Sequence, residues 1–442
     1  MPDIETLITE PAVLDSTGRA AIEELRNIRA AILYRQNRDG ATVYGFHVDG
    51  AESDPAAAVT YLEDAVGLTP AAMNFSTGVF SYGSWANAFF MPRPCMLKYD
   101  GTVDYYLDPN DFTKKTDGTA SDIADASYGG NAMMEWGDGI SKIYMKVVGD
   151  NGDPTSGSVY LADRKIDDDY HCWPFVNNQG VEVMHFYTPI YGGSIDSNGK
   201  LRSLSGKTLA QSQTMTEQST AARANNPGDS VLWDIENLAE RMLINALLIL
   251  MGKSLNTQAV FGNGRQGQAS SATSLLTTGT LNDKGLFWGA SDDTHDVKVF
   301  GMSWWGNQWH RVNGYLLVNG VMKAKMTHGR QDGTTVDDYN ETGSGYISLG
   351  SLGTYSGAFQ EAMTFNSLGF FPRSAGGSSA SSTTFWCDPI WTNTSGTKAA
   401  LFGGSADNAA GSPGAFGVAL YNGPALAYWI IGAAPSCKPL AP

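Results

Sequence analysis

Residues Gly414 to Cys437 read GAFGVALYNGPALAYWIIGAAPSC, and the reading of this stretch decides the fold. Side chains alternate faces along a strand. Phe416, Val418 and Leu420 therefore share one face, and Gly417, Ala419 and Tyr421 the other. Beyond the turn signal Asn422-Gly423-Pro424, Ala427, Trp429 and Ile431 share one face and Leu426, Tyr428 and Ile430 the other. The first set in each strand is bulky or uniformly apolar, as a core requires. The second mixes Gly, Ala, Leu, Tyr and Ile without a chemical theme. The spacing predicts a hairpin with one packed face and one face free of packing rules. A hairpin buried on both sides fits the same letters, and alternation alone does not choose between them.

The surrounding chain has 442 residues, enough for two or three domains. Hydrophobic residues make up 42%, so core material is ample, while charged residues are only 17%, below the roughly 25% of ordinary soluble domains. Abundant glycine and turn clusters between short apolar runs predict a β-rich protein. The net charge of −16 argues against binding nucleic-acid phosphates or anionic membranes, both of which need clustered Lys and Arg. The N-terminus has no basic stretch followed by an apolar one, so no secretory signal is expected. The longest apolar run, Met242 to Met251, is about half of the ~20 residues that span a bilayer.

Three helices are predicted. Asp15 to Leu33 carries Ile22, Leu25, Ile28 and Ile32 at helical spacing, and packs either on its own domain or in an intersubunit bundle. A second is capped by Asp54, with Pro55 in the first position, a Val59-Leu62-Val66 stripe and Gly67 at its end. The third runs from Ser230 to Met251. Between them, Phe75 to about Tyr191 reads as short strands and turns, and the polar Thr208–Asp229 segment marks a boundary. Asn319-Gly320 within Tyr315–Met326 is the signature of a hairpin with a type I′ turn.

Chemistry-bearing motifs are weak. Gly262-Asn-Gly-Arg-Gln-Gly267 has the spacing of a dinucleotide loop, but it follows a helical pattern rather than a strand. Asp167–Asp169 with His171, and Asp292-Asp293 with His295 and Asp296, lack the spacing of a calcium loop and read as solvated loops. Cys95, Cys172, Cys387 and Cys437 lie far apart and read as free thiols, with a Cys387–Cys437 bridge as the alternative. No nucleophile, metal or cofactor constellation stands out, so neither catalysis nor a cofactor is expected.

Three pieces carry a resemblance: Gly403-Gly404-Ser-Ala-Asp407, Gly414 to Ala425, and Tyr428-Trp-Ile-Ile-Gly-Ala-Ala434. Together they resemble the C-type-lectin-fold variable proteins of diversity-generating retroelements, closest to phage receptor-binding proteins of the major tropism determinant family. The wider family includes formylglycine-generating-enzyme-like domains. Gly301-Met-Ser-Trp-Trp-Gly-Asn-Gln-Trp309 is similar to a further element of that family, but His310 and Arg311 replace its usual Glu-Trp ending. Leu107–Thr116 and Ser203–Gln211 are similar to segments of gut-phage tail proteins. The main resemblance covers roughly residues 230 to 437.

In such proteins mutagenesis at the adenines of Asn codons creates diversity, and such codons cannot become Lys, Glu, Gln, Met or Trp. Leu401 to Cys437 contains no Lys, Glu, Gln or Met, and its one Trp, Trp429, falls on the predicted scaffold face. The resemblance implies ligand-binding positions at Ser405, Ala406, Asp407, Gly417, Ala419, Tyr421, Asn422, Leu426, Tyr428 and Ile430. The implied fold class is α+β: a helical attachment region (1–45), a β-rich intermediate region (46–225) and a C-terminal C-type-lectin-like domain (226–442). The implied function is that of a phage tail adhesin, a homotrimer in the virion tail tip. Its partners would be a bacterial surface protein or glycan and other tail proteins, with no nucleic acid and no membrane. An oxidase using Cys387 and Cys437, a tail hydrolase and a structural baseplate protein are the alternatives.

Overall fold

The structure is a computed structural model and describes residues 24–26, 28–29, 36–138, 141–327, 339–408 and 414–439. It corrects the expected fold class. The chain is mostly β, with 36% strand and 11% helix, and its largest sheet curls into a nearly closed, barrel-like wall. The α+β arrangement of a helical N-terminus followed by a C-terminal C-type-lectin-like domain is not what forms.

Part of the correction is local. The segment read as a helix capped by Asp54 contains a strand, Val59–Glu63, paired antiparallel with Val43–Val48. The cap itself exists: Asp54 Oδ1 accepts from the amides of Ala56 and Ala57. It closes a single turn, and the chain then extends because Val59 and Tyr61 alternate inward while Thr60 and Glu63 face solvent. A period-2 stripe and a period-3.6 stripe share enough positions over five residues to be confused. Most of the Asp15–Leu33 stretch lies outside the described residues.

Two other expectations have different outcomes. Residues Ser230 to Met251 split, because Trp233–Ile235 is a strand and the helix begins at Leu238. Asn237 caps it, and its side chain accepts from the Glu240 amide while Glu240 reaches back to the Asn237 amide. Every residue from Leu238 to Met251 is buried, so this helix is the axis of the core rather than an amphipathic cover. The predicted hairpin forms: Trp309–Val318 pairs with Val321–Ala324, and Asn319 and Gly320 sit at φ 48° and 80°.

The barrel-like sheet runs in the order Ile347–Ser351, Val321–Ala324, Trp309–Val318, Thr397–Phe402, Val418–Leu420, Pro389–Thr392, Tyr355–Asn366 and Gly369–Ala375. Its ninth strand, Ile431–Gly432, lies parallel to Trp309–Val318. A seven-stranded sheet draws on both sides of residue 225. Pro435–Cys437 sits between Trp233–Ile235 and Phe186–Pro189, and the sheet continues through Gly130–Trp136 and Arg93–Lys98 to Val103–Asp108 and Asp111–Lys115. One hydrophobic cluster extends from Phe46 through the central helix to Leu420.

Candidate functional site

Gly414–Cys437 does not form the expected hairpin. Val418–Leu420 is a strand, but its neighbours are Thr397–Phe402 and, in parallel, Pro389–Thr392. The chain then leaves the sheet as a surface loop from Tyr421 to Ile430 and re-enters at Ile431–Gly432. The apolar letters of 426–430 were read as a second strand, yet Leu426, Ala427 and Tyr428 are exposed and Trp429 and Ile430 half-buried. Gly423 and Pro424 start a turn closed by the Leu426 amide on the Gly423 carbonyl, and Val418–Leu420 already has both edges paired, with Thr397–Phe402 and Pro389–Thr392.

The first strand keeps its predicted packing. Phe416, Val418 and Leu420 are buried, and Phe416 meets the Trp386 ring edge-on at 5.2 Å. Its segment is pinned by Asp388, whose carboxylate accepts from the Phe416 amide and from Gln258 Nε2, both at 2.8 Å. Burial raises the Asp388 carboxyl to about 7, against the opposing pull of these hydrogen bonds. Ala419, on the opposite face, is also buried, and with Trp309, Leu401 and Ile431 it makes a small apolar cluster.

That cluster is the floor of an open cavity of 350 Å³. Trp391 stands in its wall, edge-on to Trp309 at 5.5 Å. Tyr421, Asn422, Leu426, Tyr428, Ile430 and Asn408 complete the lining. Among the described residues, no lining side chain is charged. Tyr421 and Tyr428 are each 46% exposed and Leu426 36%, large apolar groups placed at the surface around one opening.

The sequence-predicted positions divide cleanly. Ala419, Tyr421, Asn422, Leu426, Tyr428 and Ile430 converge on the cavity. Ser405, Ala406, Asp407 and Gly417 do not line it. Ser405 and Ala406 are buried; the Ser405 hydroxyl donates to Asp407 Oδ1 at 2.5 Å, and the Ala406 carbonyl accepts from the amides of Gln268 and Ala269. Asp407 is exposed, and buried Gly417 accepts from the Gly403 amide. The sequence reading missed Trp309, Trp391, Leu401, Asn408 and Ile431. Trp309 ends the Gly301–Trp309 element and Ile431 lies on the core face by alternation, and Trp391 in Pro389-Ile-Trp-Thr392 carries no signal beyond its own letter.

The other candidates do not gather into a site. Lys146 Nζ lies 3.0 Å from Asp167 and 2.8 Å from Asp169, and Lys165 lies 2.8 Å from Asp168, so that acidic run is engaged in surface ion pairs. Gly262 follows a short helix, Thr257–Phe261. All four cysteines are free and buried. Burial raises the Cys387 and Cys437 thiols far above their ordinary range, which keeps them protonated and poorly nucleophilic. Among the described residues no helix is long and apolar enough to cross a membrane.

Comparison with protein-family models and with curated proteins finds no match. Among solved structures the chain matches one named Major Tropism Determinant P3c Variant, at 12% identity and a TM-score of 0.28, over 80% of this chain and 73% of that one. Similarity of that size assigns neither fold nor function.

Proposed function

We propose that this protein is a recognition protein, a phage tail adhesin that binds a bacterial surface protein or glycan in the cavity between Trp391 and the Tyr421–Ile430 loop, without chemical turnover. The observation that carries the reading is the convergence of six rule-free side chains from one segment on one open, uncharged, aromatic cavity. Tyrosine offers such a surface large contact area and a hydroxyl at low entropy cost. Sites of this size, apolar with a few polar groups, are where ligands bind. The protein acts as a homotrimer beside other tail proteins in the virion, where repeated weak sites sum to firm attachment.

The test is binding of fluorescently labelled protein to a panel of bacterial strains. Expected is attachment to a subset of strains, lost in Tyr421→Ser and Tyr428→Ser. Equal attachment of both variants and the parent protein would place the contact elsewhere.

A further inference from the structure

We infer that Arg311 and Gln308 are positioning residues of this site: the shape of the Tyr421–Ile430 loop is set by them and not by the loop's own side chains. This inference rests on the adhesin reading for its meaning, but the geometry stands by itself. Arg311 is 1% exposed, on the Trp309–Val318 strand beneath the loop. Its Nη1 donates to the Pro424 carbonyl at 3.2 Å and its Nη2 to the Leu426 carbonyl at 2.9 Å. Burial pulls the guanidinium down to about 10, so it stays charged at neutral pH. A buried cation needs compensation, and here it comes from two loop carbonyls together with the Glu341 charge.

Gln308 does the same at the far end. Its Nε2 bridges the carbonyls of Trp429, at 3.1 Å, and Ala210, at 2.9 Å. Its Oε1 occupies the space that a Cβ on Gly432 would take, so a side chain there would displace the amide. Main-chain bonds fill the remaining places: the amides of Ala399, Met215, Ser212 and Trp309 donate to the carbonyls of Asn422, Pro424, Tyr428 and Ile430. Among the described residues, no side chain of 421–430 makes a hydrogen bond to the rest of the molecule. The loop's hydrogen bonds to the rest of the molecule are therefore all made by its backbone, while Ile430 packs on the Trp309–Leu401–Ala419–Ile431 cluster.

The consequence is an asymmetry between two kinds of substitution. Deuterium exchange of the full-length protein, read at the amides that donate to the loop's carbonyls (Ser212, Met215, Ala399, Leu426 and Ile431), should rise at least tenfold in Arg311→Met and in Gln308→Ala. Exchange in the Leu238–Gly252 helix should be unchanged. Arg311→Lys, which keeps the charge but not the forked reach, should give an intermediate rate. Tyr421→Ser and Tyr428→Ser should leave exchange at those amides within twofold of the parent. Should Arg311→Met fail to fold, Gln308→Ala decides by itself. Acceleration spread across the whole chain, no acceleration, or acceleration in the tyrosine variants overturns the inference. Exchange needs no ligand, so a failure of the adhesin reading would show separately, as absent strain binding with the exchange pattern intact.

Discussion

Tyr421 and Tyr428 stand half in solvent and make no hydrogen bond to the body of the protein among the described residues, so their energetic weight lies outside folding. Replacing either with Ser should change unfolding free energy by no more than about 0.5 kcal/mol, as surface changes away from special features do. Phe416 is the contrasting residue, 3% exposed and set against Trp386. Truncation to Ala should cost about 3–5 kcal/mol in denaturant unfolding. Trp429, which alternation placed in the core, is half-buried, and its loss should cost clearly less than that of Phe416. Lys298 supplies a pH dependence. It is buried over the Phe112 ring with its Nζ on the Leu281 carbonyl, and burial pulls it down to about 7 from 10.5. The folded state disfavours its charge, so its contribution is favourable above the unfolded value and is lost as pH falls toward 7. Thermal melts should show stability rising from pH 7 to pH 9, and Lys298→Met should flatten that rise. An unchanged slope in the variant would assign the effect to another group.

At the level of elements, caps and turns proved more readable than periods. The Asn237 capping box at the start of the central helix is buried, and Asn237→Ala should cost roughly 1–2 kcal/mol, measured by denaturant midpoint. Asn319-Gly320 was legible because two consecutive positive φ angles demand those residues. Val59–Glu63 was misread because five residues cannot separate two periods, and pairing with Val43–Val48 settled the matter. Within the site, Ala419, Tyr421, Leu426 and Tyr428 were legible as letters without a packing rule. Their setting was not: Trp391 arrives from a strand 28 residues upstream through a parallel pairing that no local signal announces. Arg311 was noticed only as a departure from a motif. Its purpose depends on carbonyls more than 100 residues away.

For the whole molecule, the two large sheets and the central helix share one core, and the seven-stranded sheet needs Trp233–Ile235 and Pro435–Cys437 to be complete. A fragment beginning at residue 226 should therefore give no cooperative melting transition by circular dichroism, whereas a sharp transition would mark it as an independent unit. The same sheet shapes biosynthesis. Tyr187 pairs with Cys437, so the Phe186–Pro189 strand leaves the ribosome about 250 residues before its neighbour exists. At roughly 5–20 residues per second, that edge stays open for about 12–50 s. An unpaired strand is a template for wrong partners, so during translation the nascent chain carries a sticky seam that closes only when Pro435–Cys437 emerges, and slower, colder expression with abundant chaperones is the condition under which soluble yield should rise.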